Sequence, residues 1–196
     1  MNSLMTNDNV KIFPHDKILA KTLLKLIPQE VYPNHLTVLR VLMTPVILYF
    51  LWSEKWSVVV PLFLAAALTD LLDGSLARTR KRITTWGTVA DPIADKLLIG
   101  SVMILFVARE INVYFAAVTV FVEVAIATTA LVRRLRGQPY ISANWYGKIK
   151  MLFQVIGVST LLIARWSGVD MFVPFSIGTL SIAVVFALMS LYTYGL

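Results

Sequence analysis

The 196-residue sequence contains no cysteine and only two histidines, His15 and His35, and just 15% of it is Asp, Glu, Lys or Arg. Without cysteine there is no disulfide, no thiolate metal site and no cysteine nucleophile, and two imidazoles are too few for a zinc centre. The opening stretch, MNSLMTNDNVKIFPHDK, lacks the basic flank and apolar run of a signal peptide. It is therefore expected to be retained, with residues 1–10 forming a mobile tip. Also missing are internal repeats, low-complexity stretches and any basic stripe interleaved with aromatics, so the net charge of +7 does not point to nucleic acid. Anionic phospholipid is the partner that fits.

What the sequence does have is apolar residues, 58% of the chain, with a mean hydropathy of +0.74. A soluble domain cannot bury that much. The expected fold is an all-α integral membrane protein of six transmembrane helices preceded by an N-terminal interfacial amphipathic helix. The spans are placed at 36–52, 56–78, 89–108, 112–134, 146–165 and 171–194, each close to the roughly 20 residues that cross a hydrocarbon core. Over residues 11–30, Leu, Ile and Phe interleave with Lys11, Lys17, Lys21 and Lys25, a pattern for a helix lying in the interface or for an arm packed on another protein. Residues 31–196 then form one six-helix transmembrane domain.

Lys and Arg sort to one side. With these spans, 14 of them lie in the termini, the basic loops and the adjoining helix ends, against Lys55, Arg109 and Arg165 in the opposite loops. The positive-inside rule puts both termini and the basic loops in the cytoplasm, as an even number of spans requires.

At the basic side, the second and third spans read DLLDGSLARTRKRITTWGTVADPIADK. Asp70 and Asp73 share one helical face, and Asp91 and Asp95 share a face of the next helix. The polar segment between them reverses the chain, so four carboxylates can converge. Each Asp at a helix centre costs about 2.5 to 3.5 kcal/mol, less near the interface, and mutual repulsion adds to that. Arg78 and Lys96 could neutralise part of the charge in a cluster that only fixes packing. Two divalent cations would match it fully and leave coordination positions for a diphosphate. An all-oxygen site favours Mg2+ or Mn2+.

The run from Asp70 to Asp95, D-x2-D-G-x2-A-R-x8-G-x3-D-x3-D, resembles the signature of the CDP-alcohol phosphotransferase family at every position. The six-span layout with an amphipathic N-terminal helix is similar to that family too. The resemblance implies transfer of a phosphatidyl-type group from a CDP-linked donor, CDP-diacylglycerol, to an alcohol, with release of CMP. It implies that Asp70, Asp73 and Asp91 are metal ligands, that Asp95 shares in metal binding and is the general base, and that Gly74, Ala77, Arg78 and Gly87 line the CDP site. It also implies a homodimer. Metal-assisted displacement with an adjacent carboxylate base is chemically consistent with this and needs no covalent intermediate.

Upstream, PNHLTVLRVLMTP resembles the start of the first span in bacterial members, which adds Asn34, Thr37 and Arg40 to the donor site. By position alone, Asn34 reads equally as an N-cap and Arg40 as an interfacial arginine. Further on, ISANWYGKIKMLFQVIG resembles the fifth span of phosphatidylglycerophosphate synthases, so Lys148 and Lys150, with Arg133 and Arg134, are candidates for an acceptor phosphate, glycerol 3-phosphate above all. Membrane anchoring of a basic loop explains the same residues. One departure bears on the acceptor. Those synthases carry an Arg-Glu pair in the fourth span with another arginine two turns on, whereas here Val122 precedes Glu123 and Ala130 follows at that spacing. An inositol phosphate or phosphatidylglycerol acceptor would use the same carboxylate core.

A cation transporter or channel is the alternative of another class, because buried Asp residues also make ion paths. It leaves Gly74, Ala77, Arg78 and Gly87 unexplained, as well as the gathering of four aspartates at one end. Trp52, Trp56, Trp86, Trp145 and Trp166 fall near span ends, as an interfacial aromatic belt requires, and Gly157 and Gly178 are expected to serve close helix packing or a dimer seam.

Overall fold

The computed structural model describes residues 24, 28, 31–80, 87–136 and 145–195. The expected interfacial helix over 11–30 lies outside them apart from Leu24 and Pro28, as does Trp86. Among the described residues the regular structure is entirely helical: α1 (Pro33–Trp52), α2 (Trp56–Thr79), α3 (Gly87–Val102), a π-helical turn (Met103–Val107), α4 (Ala108–Glu110), α5 (Val113–Leu135), α6 (Trp145–Ser167) and α7 (Phe172–Gly195). α1, α2, α5, α6 and α7 are long and apolar enough to cross a membrane. Where a sixth uninterrupted span was expected, at 89–108, the chain is helical but divided: α3 has only 16 residues, and the Ala108 N–H bonds back to the Met103 carbonyl in the wider π pattern.

The elements start and stop where their residues dictate. Pro33 opens α1, where its missing N–H would have had no intrahelical partner. Gly168 closes α6 in the left-handed region, at φ 70°, and its N–H donates to the Ala164 carbonyl at 2.9 Å. Within the helices, Thr44, Thr119, Thr128 and Thr160 each donate the hydroxyl to the carbonyl four residues back, so these polar groups need no water.

The chain falls into two compact units: the described residues of Met1–Phe50 with Pro61–Leu98, and Leu51–Val60 with those of Ile99–Leu196. In the first, Ile47, Phe63, Ala66, Leu76 and Ala94 are fully buried, and Arg80 anchors the approach to α1 by donating to the Pro28 and Val31 carbonyls at 2.9 and 3.2 Å. In the second, α6 and α7 pack along their lengths. Gly157 permits this, since a Cβ there would lie 2.6 Å from Leu180 Cγ, and the Ser176 hydroxyl donates to the Gly157 carbonyl at 2.7 Å. Gly178 has nothing within 4 Å of its Cβ position, so the two glycines differ in role. α5 joins α7 through Val122, Ile126 and Ala187.

Charges pair within the second unit as well. Glu54, in the turn between α1 and α2, pairs with Arg109, while Glu110 pairs with Arg165 and lies 3.8 Å from Arg109 Nε. These ion pairs tie together the loop residues that the sequence assigns to the less basic side. Trp52, Trp145 and Trp166 are exposed, whereas Trp56 packs on Phe106 with ring centroids 5.5 Å apart.

Candidate active site

Three helices of the first unit supply the site. Asp70 and Asp73 project from the C-terminal part of α2, Asp91 and Asp95 from α3, and Thr37 and Arg40 from α1. Helical spacing puts Thr37 and Arg40 on one face of α1, and both are buried.

The carboxylates do converge, and they do so on Arg40. This side chain is fully buried; Nη2 bonds Asp73, Nη1 bonds Asp95, and Nη1 lies 3.2 Å from Asp70 Oδ1. Asp91 accepts a hydrogen bond from the Thr37 hydroxyl. One arginine therefore meets three of the four acids that the signature contributes. Such a cluster holds together only because its charges are compensated: an unpaired buried charge costs several kcal/mol. By sequence, Arg78 and Lys96 are candidates to offset part of the charge, and Arg40 is either a donor-site residue or an interfacial arginine. A guanidinium with no exposed surface is not interfacial, and Arg40 places one positive charge among the carboxylates.

Arg78 has a different place. Its Nη1 lies 3.3 Å from where a Cβ on Gly74 would be, so the guanidinium covers the bare backbone one turn back on α2. The absence of a side chain at Gly74 thus makes room for an arginine of the same motif. Ala77 is half-buried and Gly87, at the start of α3, is buried. Asn34 falls inside the first turn of α1 rather than at its N-cap; the N–H of Tyr32 instead donates to His35 Nδ1 at 3.4 Å.

Hard oxygen donors such as these carboxylates suit Mg2+ or Mn2+. Among the described residues no three acids are disposed to share one ion as they stand, because their oxygens are directed at the Arg40 guanidinium. Arg40 Nε is buried and makes no hydrogen bond, so the arginine is itself short of an acceptor. The donor set fits a divalent cation in kind and in locality, with Arg40 standing at the centre of its charge.

In the second unit, the candidate acceptor residues separate. Lys148 is exposed and Arg133 half-buried, while the side chain of Arg134 lies outside the described residues. Lys150 is buried and pairs with Glu123 at 2.5 Å, and Gln154 Nε2 donates to the same Glu123 oxygen at 3.0 Å. By sequence Glu123 stands out only as a departure from a family pattern, and Gln154 does not stand out. The signal available was two opposite charges inside neighbouring apolar spans, which need one another.

The chain is similar to known proteins along most of its length. Over 172 residues the chain is 31% identical to the CDP-diacylglycerol-glycerol-3-phosphate 3-phosphatidyltransferase of Sodalis glossinidius, covering 83% of this chain and 91% of that one. It is 30% identical over 178 residues to the protein of the same name from Bacillus subtilis, covering 83% and 92%. A protein from Arabidopsis thaliana, CDP-diacylglycerol-glycerol-3-phosphate 3-phosphatidyltransferase 2, is 27% identical over 210 residues, covering 98% of this chain and 88% of that one. The family model for CDP-alcohol phosphatidyltransferase matches residues 30–191, a stretch that contains every helix of the site, and the chain belongs to the CDP-alcohol phosphatidyltransferase family.

Proposed function

We propose that this chain transfers the phosphatidyl group of CDP-diacylglycerol to glycerol 3-phosphate, giving phosphatidylglycerophosphate and CMP. The observation that carries the reading is the meeting of Asp70, Asp73 and Asp95 at one buried point, with Asp91 on the same helix as Asp95. The family and the names of the relatives support the donor and the acceptor.

In this reading Asp70, Asp73, Asp91 and Asp95 hold two divalent cations, Mg2+ or Mn2+. Bound there, the cations supply charge stabilisation for the diphosphate and the leaving CMP. The chain's own residues do the rest. Asp95 takes the proton from the acceptor hydroxyl as it attacks phosphorus. Gly74, Ala77, Arg78, Gly87, Asn34, Thr37 and Arg40 bind the CDP part of the donor. Arg40 in particular, with Nε lacking an acceptor, is suited to a phosphate oxygen. Arg133, Arg134, Lys148 and Lys150 bind the acceptor phosphate.

The reading includes a homodimer in a bacterial cytoplasmic membrane, with six spans and with the site and both termini on the cytoplasmic side. The asymmetry of Lys and Arg supports that orientation. Metal-dependent CMP release by purified protein tests the proposal, with CDP-diacylglycerol as donor and glycerol 3-phosphate, inositol phosphate or phosphatidylglycerol as acceptor. Release with glycerol 3-phosphate alone is expected. Release only with another acceptor would keep the chemistry and change the product, and no release from folded, metal-loaded protein would favour an ion path.

A further inference from the structure

Thr37 departs from the pattern of other threonines within the helices. Thr44, Thr79, Thr119 and Thr160 each donate the hydroxyl to the carbonyl four residues back, at 2.7 to 2.9 Å. That bond is the local way to satisfy a hydroxyl on an apolar helix. For Thr37 the corresponding carbonyl, of Pro33, lies at 3.5 Å, and the hydroxyl donates instead to Asp91 Oδ1, 54 residues away on α3. Thr44 is the fair comparison: it lies on the same helix and is buried to the same 1% exposure, yet it keeps the local bond.

Satisfying the hydroxyl does not explain this, since the Pro33 carbonyl is at hand and serves the purpose elsewhere. Direct contact with the donor does not explain it either, because the side chain is buried and its single proton is committed to Asp91. What a carboxylate gains from one fixed hydroxyl is orientation: with Oδ1 held, the turn of the group about its own axis is set, and with it the direction of Oδ2. Asp91 itself is only half-buried, so it has an open side to present. The same face of α1 carries Arg40 one turn later, and Arg40 holds Asp70, Asp73 and Asp95. Thr37 does for the fourth acid, without adding charge, what Arg40 does for the other three.

Resting on the metal-ligand role proposed above for Asp91, we propose that Thr37 is a positioning residue for that carboxylate: it holds Oδ1 so that Oδ2 is turned toward a divalent cation. The contribution of Thr37 to the donor site then runs through Asp91. Hydrogen-bond partners of ligating groups set metal affinity in this way, and their loss typically weakens it by about 10-fold to 100-fold.

The test is the Mn2+ dissociation constant of the purified protein in detergent, measured from the electron paramagnetic resonance of free Mn2+ with no lipid donor present. Thr37→Val, which keeps the shape and removes the donor, should raise it by about 10-fold to 100-fold, whereas Thr37→Ser, which keeps the donor, should stay within about threefold of wild type. Thr44→Val should leave it unchanged, because Thr44 bonds only its own helix. Should Thr37→Val fail to fold, Thr37→Cys, whose thiol is a weaker donor, must still raise the constant by about threefold or more. An unchanged constant in Thr37→Val with a lower melting temperature would make Thr37 a packing residue, and an unchanged constant with a raised KM for CDP-diacylglycerol would make it a direct donor contact; either overturns the inference and leaves the metal ligands in place. An equal rise in Thr44→Val would also overturn it, by tracing the effect to a loosened α1. A wild type that binds no Mn2+ would overturn the metal-ligand reading itself.

Discussion

Nη1 of Arg40 lies 3.2 Å from Oδ1 of Asp70. The same nitrogen bonds Asp95 and the neighbouring one bonds Asp73, so a single buried side chain from α1 is tied to carboxylates on both α2 and α3. Its positive charge offsets part of the negative charge of these acids.

Arg40→Gln should therefore destabilise the protein most strongly in chelator, by roughly 3 to 5 kcal/mol, the cost of leaving buried charge uncompensated. Mn2+ or Mg2+ should recover more of the loss in the variant than it adds to the wild type, because the cations replace the missing charge. Melting temperatures in detergent, with and without metal, check this. An equal loss under both conditions would make Arg40 a packing residue.

Asp95→Asn should lower turnover by about 100-fold to 10,000-fold, the range of general acid-base catalysis, while CDP-lipid binding largely survives. Asp70→Asn and Asp91→Asn should lose both metal and donor. Direct binding of a CDP-lipid measured beside CMP release separates the two classes, and near-normal turnover in Asp95→Asn would remove it as the base.

Gly157→Ala should cost about 1 to 3 kcal/mol, since the new methyl would sit 2.6 Å from Leu180 Cγ and 2.9 Å from Thr179 Oγ1 and force the α6 and α7 contact to repack. Gly178→Ala, with nothing within 4 Å, should change stability by no more than about 0.5 kcal/mol. Similar melting temperatures for the two variants would contradict the packing role of Gly157.

Lys148→Ala should raise the KM for glycerol 3-phosphate with little change in the KM for CDP-diacylglycerol, because the proposed function gives this charge to the acceptor only. Initial rates with each substrate varied in turn give the answer. An unchanged acceptor KM would move the phosphate elsewhere.

Much of the fold is legible in the sequence. A helix in lipid satisfies its own backbone, so long apolar runs mark helices directly, and α1, α2, α5, α6 and α7 fall where those runs predict. Spacings of three and four put Asp70 with Asp73, and Asp91 with Asp95, on common faces because that periodicity belongs to the helix itself. The division of the third segment into α3, a π turn and α4 was not legible, since hydropathy does not record a change of hydrogen-bond pattern.

Sequence by itself thus determined the helical segments, the acidic signature and the oxygen-only donor set, all of which depend on residue type and local periodicity. Tertiary structure alone decided that Arg40 reaches Asp73 and Asp95, 33 and 55 residues away, that Arg78 covers Gly74, that Gly157 meets Leu180, and that Lys150 is matched by Glu123 and Gln154. Which side chains meet across two helices depends on their rotation and register, and those are set by the packing of the whole bundle rather than by any one stretch of chain.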